Sequence, residues 1–340
     1  MDAVLSAIAG EAVRELKTYG TKTPGERARD LARRLCGRRV PAPDPVFWPA
    51  GLLGLGLTEY DGDREGAVRA RLDAWLRGGG RTACADDAVM LYSAVRIDTA
   101  EHNVPYREAA DRMARSLMDA PKDAAGTLIY RPGRAHDYVF ADGIGMAALF
   151  LDAYGRAYGD ERASGEAAKQ LKAYLSMATD ARTGLPYHGY ETAAGTKNGL
   201  VGWGRAVGWL MMGMSGTQDA GLRLRLRDLA RSAEELCGED GLFPWLLTAP
   251  QGPRDVSATA MIRWAEARAL ENGALPASDR EKFSAGFSAS AEGILAHTAD
   301  GRVGQSLSEC AGFAEHPQIY GCYPWGQGAA LAFLSLWRRP

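Results

Sequence analysis

The chain has 340 residues, of which 46% are hydrophobic and 24% are charged, and this composition excludes a disordered or fibrous protein. Its 40 basic residues nearly balance 42 acidic ones, and the formal net charge of -2 leaves no excess positive field for nucleic acid or anionic lipid. The sequence holds no run of about 20 apolar residues and no basic start followed by an apolar segment. We therefore expect a cytoplasmic protein that binds neither nucleic acid nor a membrane.

The chain begins with a predicted helix over residues 2–18, and two kinds of helical segment then alternate. Segments of the first kind are apolar on nearly every side, which is typical of interior helices: 46–57, 86–97, 142–156, 203–214, 256–270 and 325–338. Segments of the second kind are apolar on one face only, which predicts an outer layer: 25–36, 64–77, 105–119, 162–178, 220–237 and 279–297.

Four glycines in turn-like stretches, Gly126, Gly184, Gly241 and Gly301, are separated by 58, 57 and 60 residues. This period indicates repeated helical hairpins. Six inner and six outer helices predict an all-α protein, an (α/α)6 barrel, with short strands allowed in its loops. We predict a single domain over residues 1–340, with residues 1–24 as a helical extension outside the helix count.

The links that lead from outer to inner helices are long, whereas the return links are short. Long loops often carry function, and in an alternating barrel they gather where the inner helices begin. Helix N-termini that converge there present unpaired N–H groups and favour an anion such as a carboxylate. The four long links are residues 120–141, 179–202, 238–255 and 298–324.

Asp142 stands at the start of an inner helix, near Tyr138, Phe140 and Met146. An acid in such a partly apolar setting is a candidate proton donor. The competing interpretation is that Asp142 only caps the helix, since aspartate is a favoured capping residue.

Arg205 lies between Trp203 and Trp209 at the start of another inner helix. Its planar guanidinium matches a carboxylate, although it could instead form a buried ion pair with an acid of the core. His188 and His136 precede these helices and are candidate substrate-binding residues, with a structural hydrogen-bonding role as the alternative for His188.

The remaining candidates surround the same end of the barrel. Ser257, Thr259 and Gln327 could read sugar hydroxyls, or they could serve helix capping and packing. Trp48 and Trp325, together with Trp203 and Trp209, would place four tryptophans near one cavity, as a sugar ring requires. The alternative is that they only fill the core, as we expect for Trp75, Trp264 and Trp337.

We predict no disulfide, no metal site and no cofactor. The cysteines lie far apart, the sequence has neither a C-x-x-C nor an H-x-x-x-H spacing, and we expect the thiols to be buried small apolar groups. The cysteines are Cys36, Cys84, Cys237, Cys310 and Cys322.

In order along residues 45–338, the chain carries Trp-Pro-Ala-Gly, Ala-Asp-Gly, Gly-Leu-Pro-Tyr-His-Gly-Tyr, Trp-Gly-Arg-x-x-Gly-Trp, Ser-Ala-Thr-Ala and Pro-Trp-Gly-Gln-Gly. As an ordered set these motifs resemble the unsaturated rhamnogalacturonyl hydrolases of glycoside hydrolase family 105, and more distantly the unsaturated glucuronyl hydrolases of family 88. The resemblance implies an (α/α)6 barrel, no metal, and release of a 4,5-unsaturated uronic acid from the non-reducing end of a lyase-made oligosaccharide.

The resemblance also implies residue roles. Asp142 matches the general acid/base, and pocket residues of the family match His188, Trp203, Arg205 and Trp209. A second acid of the family is expected near the second inner helix, where Ala-Asp-Asp-Ala offers Asp86 or Asp87 as a catalytic residue outside the usual local pattern. The stretch that ends in Glu191 also departs from the family, where relatives often carry Trp and Asp.

An unsaturated uronide is an enol ether, so one acid can protonate C4 and water can then add at C5. Three alternatives stay open. An inverting glycosidase would pair Asp142 with Asp86, Asp87 or Glu191, an epimerase would need opposed histidines, and a non-catalytic sugar-binding barrel would need no acid. We expect an unsaturated oligosaccharide as the substrate and a monomer or weak homodimer.

Overall fold

The predicted helices are present in the computed structural model, which describes residues 2–22, 24–36, 38, 44–82, 84–133, 135–313 and 315–338. This part of the chain contains thirteen α-helices. They are α1 (Asp2–Thr18), α2 (Pro24–Leu35), α3 (Trp48–Asp61), α4 (Ala67–Arg77), α5 (Ala88–Glu101), α6 (Val104–Asp119), α7 (Ala141–Tyr158), α8 (Glu161–Met177), α9 (Gly204–Met214), α10 (Ala220–Glu234), α11 (Val256–Glu271), α12 (Arg280–Ala296) and α13 (Pro324–Trp337).

Six inner helices form a closed ring. Helices α3, α5, α7, α9, α11 and α13 each contact the next in this order, and α13 contacts α3. Every residue of α9 is buried, as expected for a helix that is apolar on all sides. At the closing contact, a Cβ atom on Gly328 would overlap the main chain of Leu52, so glycine allows α13 to approach α3. The fold is an all-α (α/α)6 barrel.

Outer helices α4, α6, α8, α10 and α12 bury one face each, as their patterns predict. Helix α1 takes the sixth outer position, because it packs against α3 and α13 and buries Leu5, Ile8 and Leu16. Our placement of α1 outside the helix count and of residues 25–36 in the outer layer is therefore wrong. None of the described side chains of the largely charged helix α2 is buried.

Short strands fill the long links. Strands β1 (Tyr138–Phe140), β2 (Tyr187–Glu191) and β3 (Lys197–Val201) form an antiparallel sheet in which Phe140 is paired with Gly189. Two-stranded pairs form between β4 (Thr298–Ala299) and β5 (Arg302–Val303), and between β6 (Ser306–Leu307) and β7 (Tyr320–Gly321).

The four periodic glycines all adopt positive φ angles, between 70° and 79°, so their prediction as turn residues is confirmed. One continuous hydrophobic core extends from Leu5 in α1 to Leu336 in α13. Within the described residues, no helix has the length and apolar character needed to cross a membrane.

The expectation of buried cysteines is wrong. Cys36 and Cys322 are exposed, the other three thiols are partly exposed, and none of the five forms a disulfide. All five lie outside the inner helices, in the turns and links where the chain meets solvent.

Candidate active site

A cavity of about 240 Å³ opens at the end of the barrel where the inner helices begin. Pockets for drug-sized ligands span roughly 300–1,000 Å³, so this volume suits about one sugar ring. The lining residues are Phe47, Trp48, Asp86, Tyr130, Arg131, Phe140, Asp142, Met146, His188, Trp203, Arg205, Trp209, Glu309, Cys310 and Gly312.

Asp142 lies in the first turn of α7, and its side chain is 18% exposed. Its Oδ2 atom is 3.1 Å from Nε2 of His188. Its Oδ1 atom is buried and finds no hydrogen-bond partner among the residues that the structure describes. The N-cap of α7 is Phe140, and no side chain caps the helix. The capping interpretation of Asp142 is therefore wrong, and one carboxyl oxygen remains available to a ligand.

His188 is fully buried in β2, where aromatic rings hold its imidazole. Its ring centre lies 5.1 Å from that of Phe140, 4.5 Å from that of Trp203 and 5.2 Å from that of Phe313. The next residue is Gly189, where a Cβ atom would overlap the neighbouring strand and the Phe313 ring. This packing fixes the direction in which Nε2 of His188 meets Asp142.

Asp86 lines the cavity from a 3-10 turn, Ala85–Asp87, and its side chain is 1% exposed. The Tyr130 hydroxyl donates to both carboxyl oxygens at 2.9 Å, and the Arg131 guanidinium lies 2.7 Å from Oδ2. The Cys84 thiol also donates to Oδ2, at 3.0 Å. Burial, together with Asp86, raises the pKa of Cys84 to about 12, so the thiol stays protonated and remains a donor.

Of the two predicted acids of this turn, the structure brings only Asp86 to the cavity. Asp87 is fully buried and does not line it. The two residues are adjacent in a tight turn, so their side chains leave the backbone in different directions.

Arg131 is a site residue that the sequence analysis missed. Its backbone has a φ of 53°, which is uncommon for a residue with a side chain. The Asp86 ion pair and the rings of Tyr130 and Phe47, 5.0 and 5.9 Å from its guanidinium carbon, hold it there. The one sequence feature that could have indicated Arg131 is its position in the first long link, five residues after Gly126.

Arg205, the second residue of α9, is buried and lines the cavity. Nη1 donates to the Leu307 carbonyl oxygen at 2.7 Å, and Nη2 donates to that of Ser308 at 2.8 Å. Nη1 also lies 3.7 Å from a carboxyl oxygen of Asp255, so the predicted buried ion pair exists. The guanidinium carbon is 4.9 Å from the centre of the Trp203 ring. Arg205 thus supports the cavity and still contributes to its wall.

Three of the four predicted tryptophans line the cavity, namely Trp48, Trp203 and Trp209. Trp48 and Trp209 meet edge to face, with ring centres 6.2 Å apart. Trp325 lies behind Trp48, at 5.2 Å, and its indole N–H donates to the Leu307 carbonyl oxygen at 3.0 Å. Trp325 therefore supports the aromatic wall from outside the cavity lining.

The structure does not bring Ser257 or Thr259 to the cavity. Both are fully buried and belong to the cap of α11, where the Ser257 hydroxyl donates to Asp255 Oδ1 at 2.6 Å. The Thr259 hydroxyl donates to the Asp255 carbonyl oxygen at 2.9 Å and accepts the Phe243 N–H. The capping alternative holds for both residues.

Gln327 is also buried away from the cavity, and it ties α13 to the carbonyl oxygens of Ile8 and Gly301. His136 is exposed and does not line the cavity. Glu191 likewise lies outside it, where its carboxylate accepts the N–H groups of two following residues. Side chains of these types on a rim were valid candidates, but only their orientation decides their role.

The outer wall of the cavity consists of described residues between β6 and β7, a segment that had no sequence motif. It supplies Glu309, Cys310 and Gly312 to the lining, and Phe313 stacks on Phe140 with ring centres 4.2 Å apart. His316 lies 5.6 Å from His188, and burial, aided by His188, lowers the pKa of His316 to about 4. His188 and His316 thus both lie among aromatic rings.

The described residues contain no group of three or more His, Cys, Asp or Glu side chains that could hold a metal ion. Residues 66–338 match the family model described as Glycosyl Hydrolase Family 88. No curated protein matches the chain by sequence.

Several solved structures share the fold. A possible member of the GH105 family from Klebsiella pneumoniae subsp. pneumoniae MGH 78578 has a TM-score of 0.82 at 17% identity, covering 98% of this chain and 92% of its own. A possible GH105 member from Salmonella enterica subsp. enterica serovar Paratyphi A str. ATCC 9150 has a TM-score of 0.80 at 18% identity, covering 98% and 93%. The unsaturated glucuronyl hydrolase from Bacillus sp. GL1 has a TM-score of 0.73 at 20% identity, covering 98% and 96%.

Proposed function

Because the chain belongs to Glycosyl Hydrolase Family 88, we propose that this glycoside hydrolase releases a 4,5-unsaturated uronic acid from the non-reducing end of lyase-made oligosaccharides. One observation carries the proposal. The Asp142 carboxyl group, positioned by His188 through one oxygen, keeps its other oxygen without a described partner in a cavity sized for one sugar ring. A single poised acid is what hydration of an enol ether requires.

In this mechanism, Asp142 donates its proton to C4 of the unsaturated ring. The C4=C5 double bond is consumed, and positive charge develops at C5 and the ring oxygen. The Asp142 carboxylate then removes a proton from a water molecule, which adds at C5 and gives a hemiketal. The hemiketal opens to a ketone at C5, and the hemiacetal left at C1 expels the aglycone, so that no covalent enzyme intermediate forms.

Asp86 stabilises the positive charge that develops on the ring. Three donors, from Tyr130, Arg131 and Cys84, hold its carboxylate at the cavity wall. Arg205 has N–H groups beyond the two that bind main-chain carbonyls, and we assign it to the carboxylate of the substrate. The tryptophan walls pack against the sugar ring.

The arrangement favours hydration over inverting hydrolysis of a saturated sugar. An inverting glycosidase needs a second carboxylate that is available to activate water, about 6.5–9.5 Å from the acid. Asp87 and Glu191 lie outside the cavity lining, and Asp86 already accepts hydrogen bonds from three donors. None of the three acids predicted as the partner of Asp142 is therefore available as a second base.

We extend the proposal to the type of substrate, the cellular location and the oligomeric state. We assign the substrate to the rhamnogalacturonyl type, with a uronic acid of the galacturonate or glucuronate kind. We place the protein in the cytoplasm as a single catalytic domain and a monomer or weak homodimer. Five cysteines without a disulfide, none of them buried, support a reducing compartment.

The test is incubation with a panel of lyase-generated unsaturated disaccharides, following the ultraviolet absorbance of the C=C bond. We expect loss of absorbance with at least one member. Asp142→Asn should abolish most of this activity, whereas Asp137→Asn, in the link before α7 and outside the cavity lining, should retain it. Cleavage of a saturated glycoside with no activity on the panel would overturn the proposal.

A further inference from the structure

The cavity has a buried floor and an exposed rim. Asp86, His188 and Arg205 belong to the floor, whereas Arg131, Glu309 and Gly312 are exposed at the mouth. An enzyme that takes the terminal sugar into a one-ring cavity must leave the next sugar, the aglycone, at this mouth. The rim residues are therefore the ones that meet the aglycone.

The two charged residues of the rim differ in their partners. Arg131 is paired with Asp86 at 2.7 Å, so this pair has no net charge. Glu309 forms no hydrogen bond and no ion pair with any residue that the structure describes. Besides Arg131, Arg205 is a cation near Glu309. Arg205 lies on the floor of the cavity, where it donates to two main-chain carbonyls and lies close to Asp255. Among the described charged residues at the mouth, Glu309 thus lacks a direct ion pair, and Arg205 and Arg131 act on its carboxylate only at longer range.

We propose that Glu309 is a specificity-determining residue that selects against an anionic aglycone, so that the preferred substrates carry a neutral or cationic sugar next to the cleaved bond. A sulfate ester, an N-sulfo group or a second uronic acid in that position would face the Glu309 carboxylate across the mouth. An uncharged sugar would face no such repulsion, and a free amino group would be attracted. This inference rests on the proposed function.

The size of the effect follows from Coulomb's law. At the solvent-exposed mouth the effective dielectric constant is close to that of water, and like charges separated by less than the Debye length of about 8 Å repel only moderately. We expect kcat/KM to differ by about three- to tenfold for each unit of aglycone charge. Since the rim is exposed, added salt should shrink this difference.

The experiment uses three unsaturated disaccharides with one amino-sugar aglycone whose nitrogen is N-acetylated, free or N-sulfated, so that its charge is neutral, positive or negative. For the wild-type protein at low salt and pH 7.5, we expect kcat/KM to be lowest for the N-sulfated disaccharide and highest for the free amine. Glu309→Gln should bring the three values together, and Glu309→Lys should reverse their order.

Glu315→Gln is the matched control, because Glu315 is an exposed acid of the same segment that does not line the cavity. This variant should keep the wild-type ratios. If the disaccharides are cleaved but Glu309→Gln and Glu309→Lys keep the wild-type ratios, the inference is wrong and the proposed function stands. If none of the three, and no member of the wider panel, is cleaved, both are wrong.

Discussion

Arg205 connects the floor of the cavity to the segment that forms its rim, so Arg205→Lys should loosen both. The guanidinium binds two successive main-chain carbonyls, those of Leu307 and Ser308, with separate nitrogen atoms. Lysine carries a compact ammonium group that cannot span both carbonyls in the same way. Lysine keeps a positive charge near Asp255. The substitution therefore removes the planar pair of donors and leaves the net charge unchanged.

The magnitude follows from these contacts. A hydrogen bond from a charged donor contributes about 1.5–3 kcal/mol, and lysine can restore one of the two carbonyl bonds. The contact with the Trp203 face is buried and contributes about 2 kcal/mol, of which the loss of planarity removes a part. We therefore expect the free energy of unfolding to fall by roughly 2–3 kcal/mol.

The assay is urea unfolding at 25 °C, compared with Arg182→Lys, an exposed arginine that should change the free energy by less than about 0.5 kcal/mol. If Arg205→Lys also changes the free energy of unfolding by less than about 0.5 kcal/mol, Arg205 does not anchor residues 307–308. The assignment of Arg205 to the substrate carboxylate has a separate test, which is the affinity of the wild-type protein for a carboxyl-reduced analogue. Equal affinity for the acid and the reduced analogue would refute it.

Two further predictions concern stability. Gln327→Leu should lower the free energy of unfolding by about 3 kcal/mol or more, because it removes the partner of three buried main-chain groups, and a loss below about 1 kcal/mol in urea unfolding would contradict this. Burial lowers the pKa of His316 from 6.5 to about 4, so the unfolded chain binds the proton more tightly. Stability from this group is complete above pH 6.5 and falls as the pH drops toward 4. His316→Asn should therefore show a smaller fall in Tm between pH 6.5 and 4, and parallel Tm curves would refute this.

The barrel was predictable because the inner helices are apolar on all sides and the turn glycines recur at a fixed period. The position of Asp142 at the start of α7 was also predictable, because it follows from the same alternation of helices. The choice between α1 and α2 as the sixth outer helix was not predictable in this way. It depends on which helix packs into the seam between α13 and α3, and that contact is tertiary.

The sequence also could not show which side chains at this end of the barrel face the cavity. Ser257, Thr259 and Gln327 occupy the expected rims, but successive residues of a helix point about 100° apart, and theirs bind the main chain. The rim residue Glu309 lies in an irregular segment, where no periodicity indicates which way a side chain points. Sequence position predicts which end of the barrel a residue occupies, and packing decides whether it meets the ligand.

The reaction in heavy water tests whether C4 of the substrate receives its proton from Asp142. The released keto-sugar should carry one deuterium from solvent at C4, detected by mass spectrometry and NMR, because the Asp142 carboxyl group exchanges its proton with solvent. Asp142→Asn should fold normally, still bind the unsaturated sugar and lose at least about 10²-fold in kcat. A product without deuterium at C4 would contradict the hydration mechanism, whatever the activity of the variant.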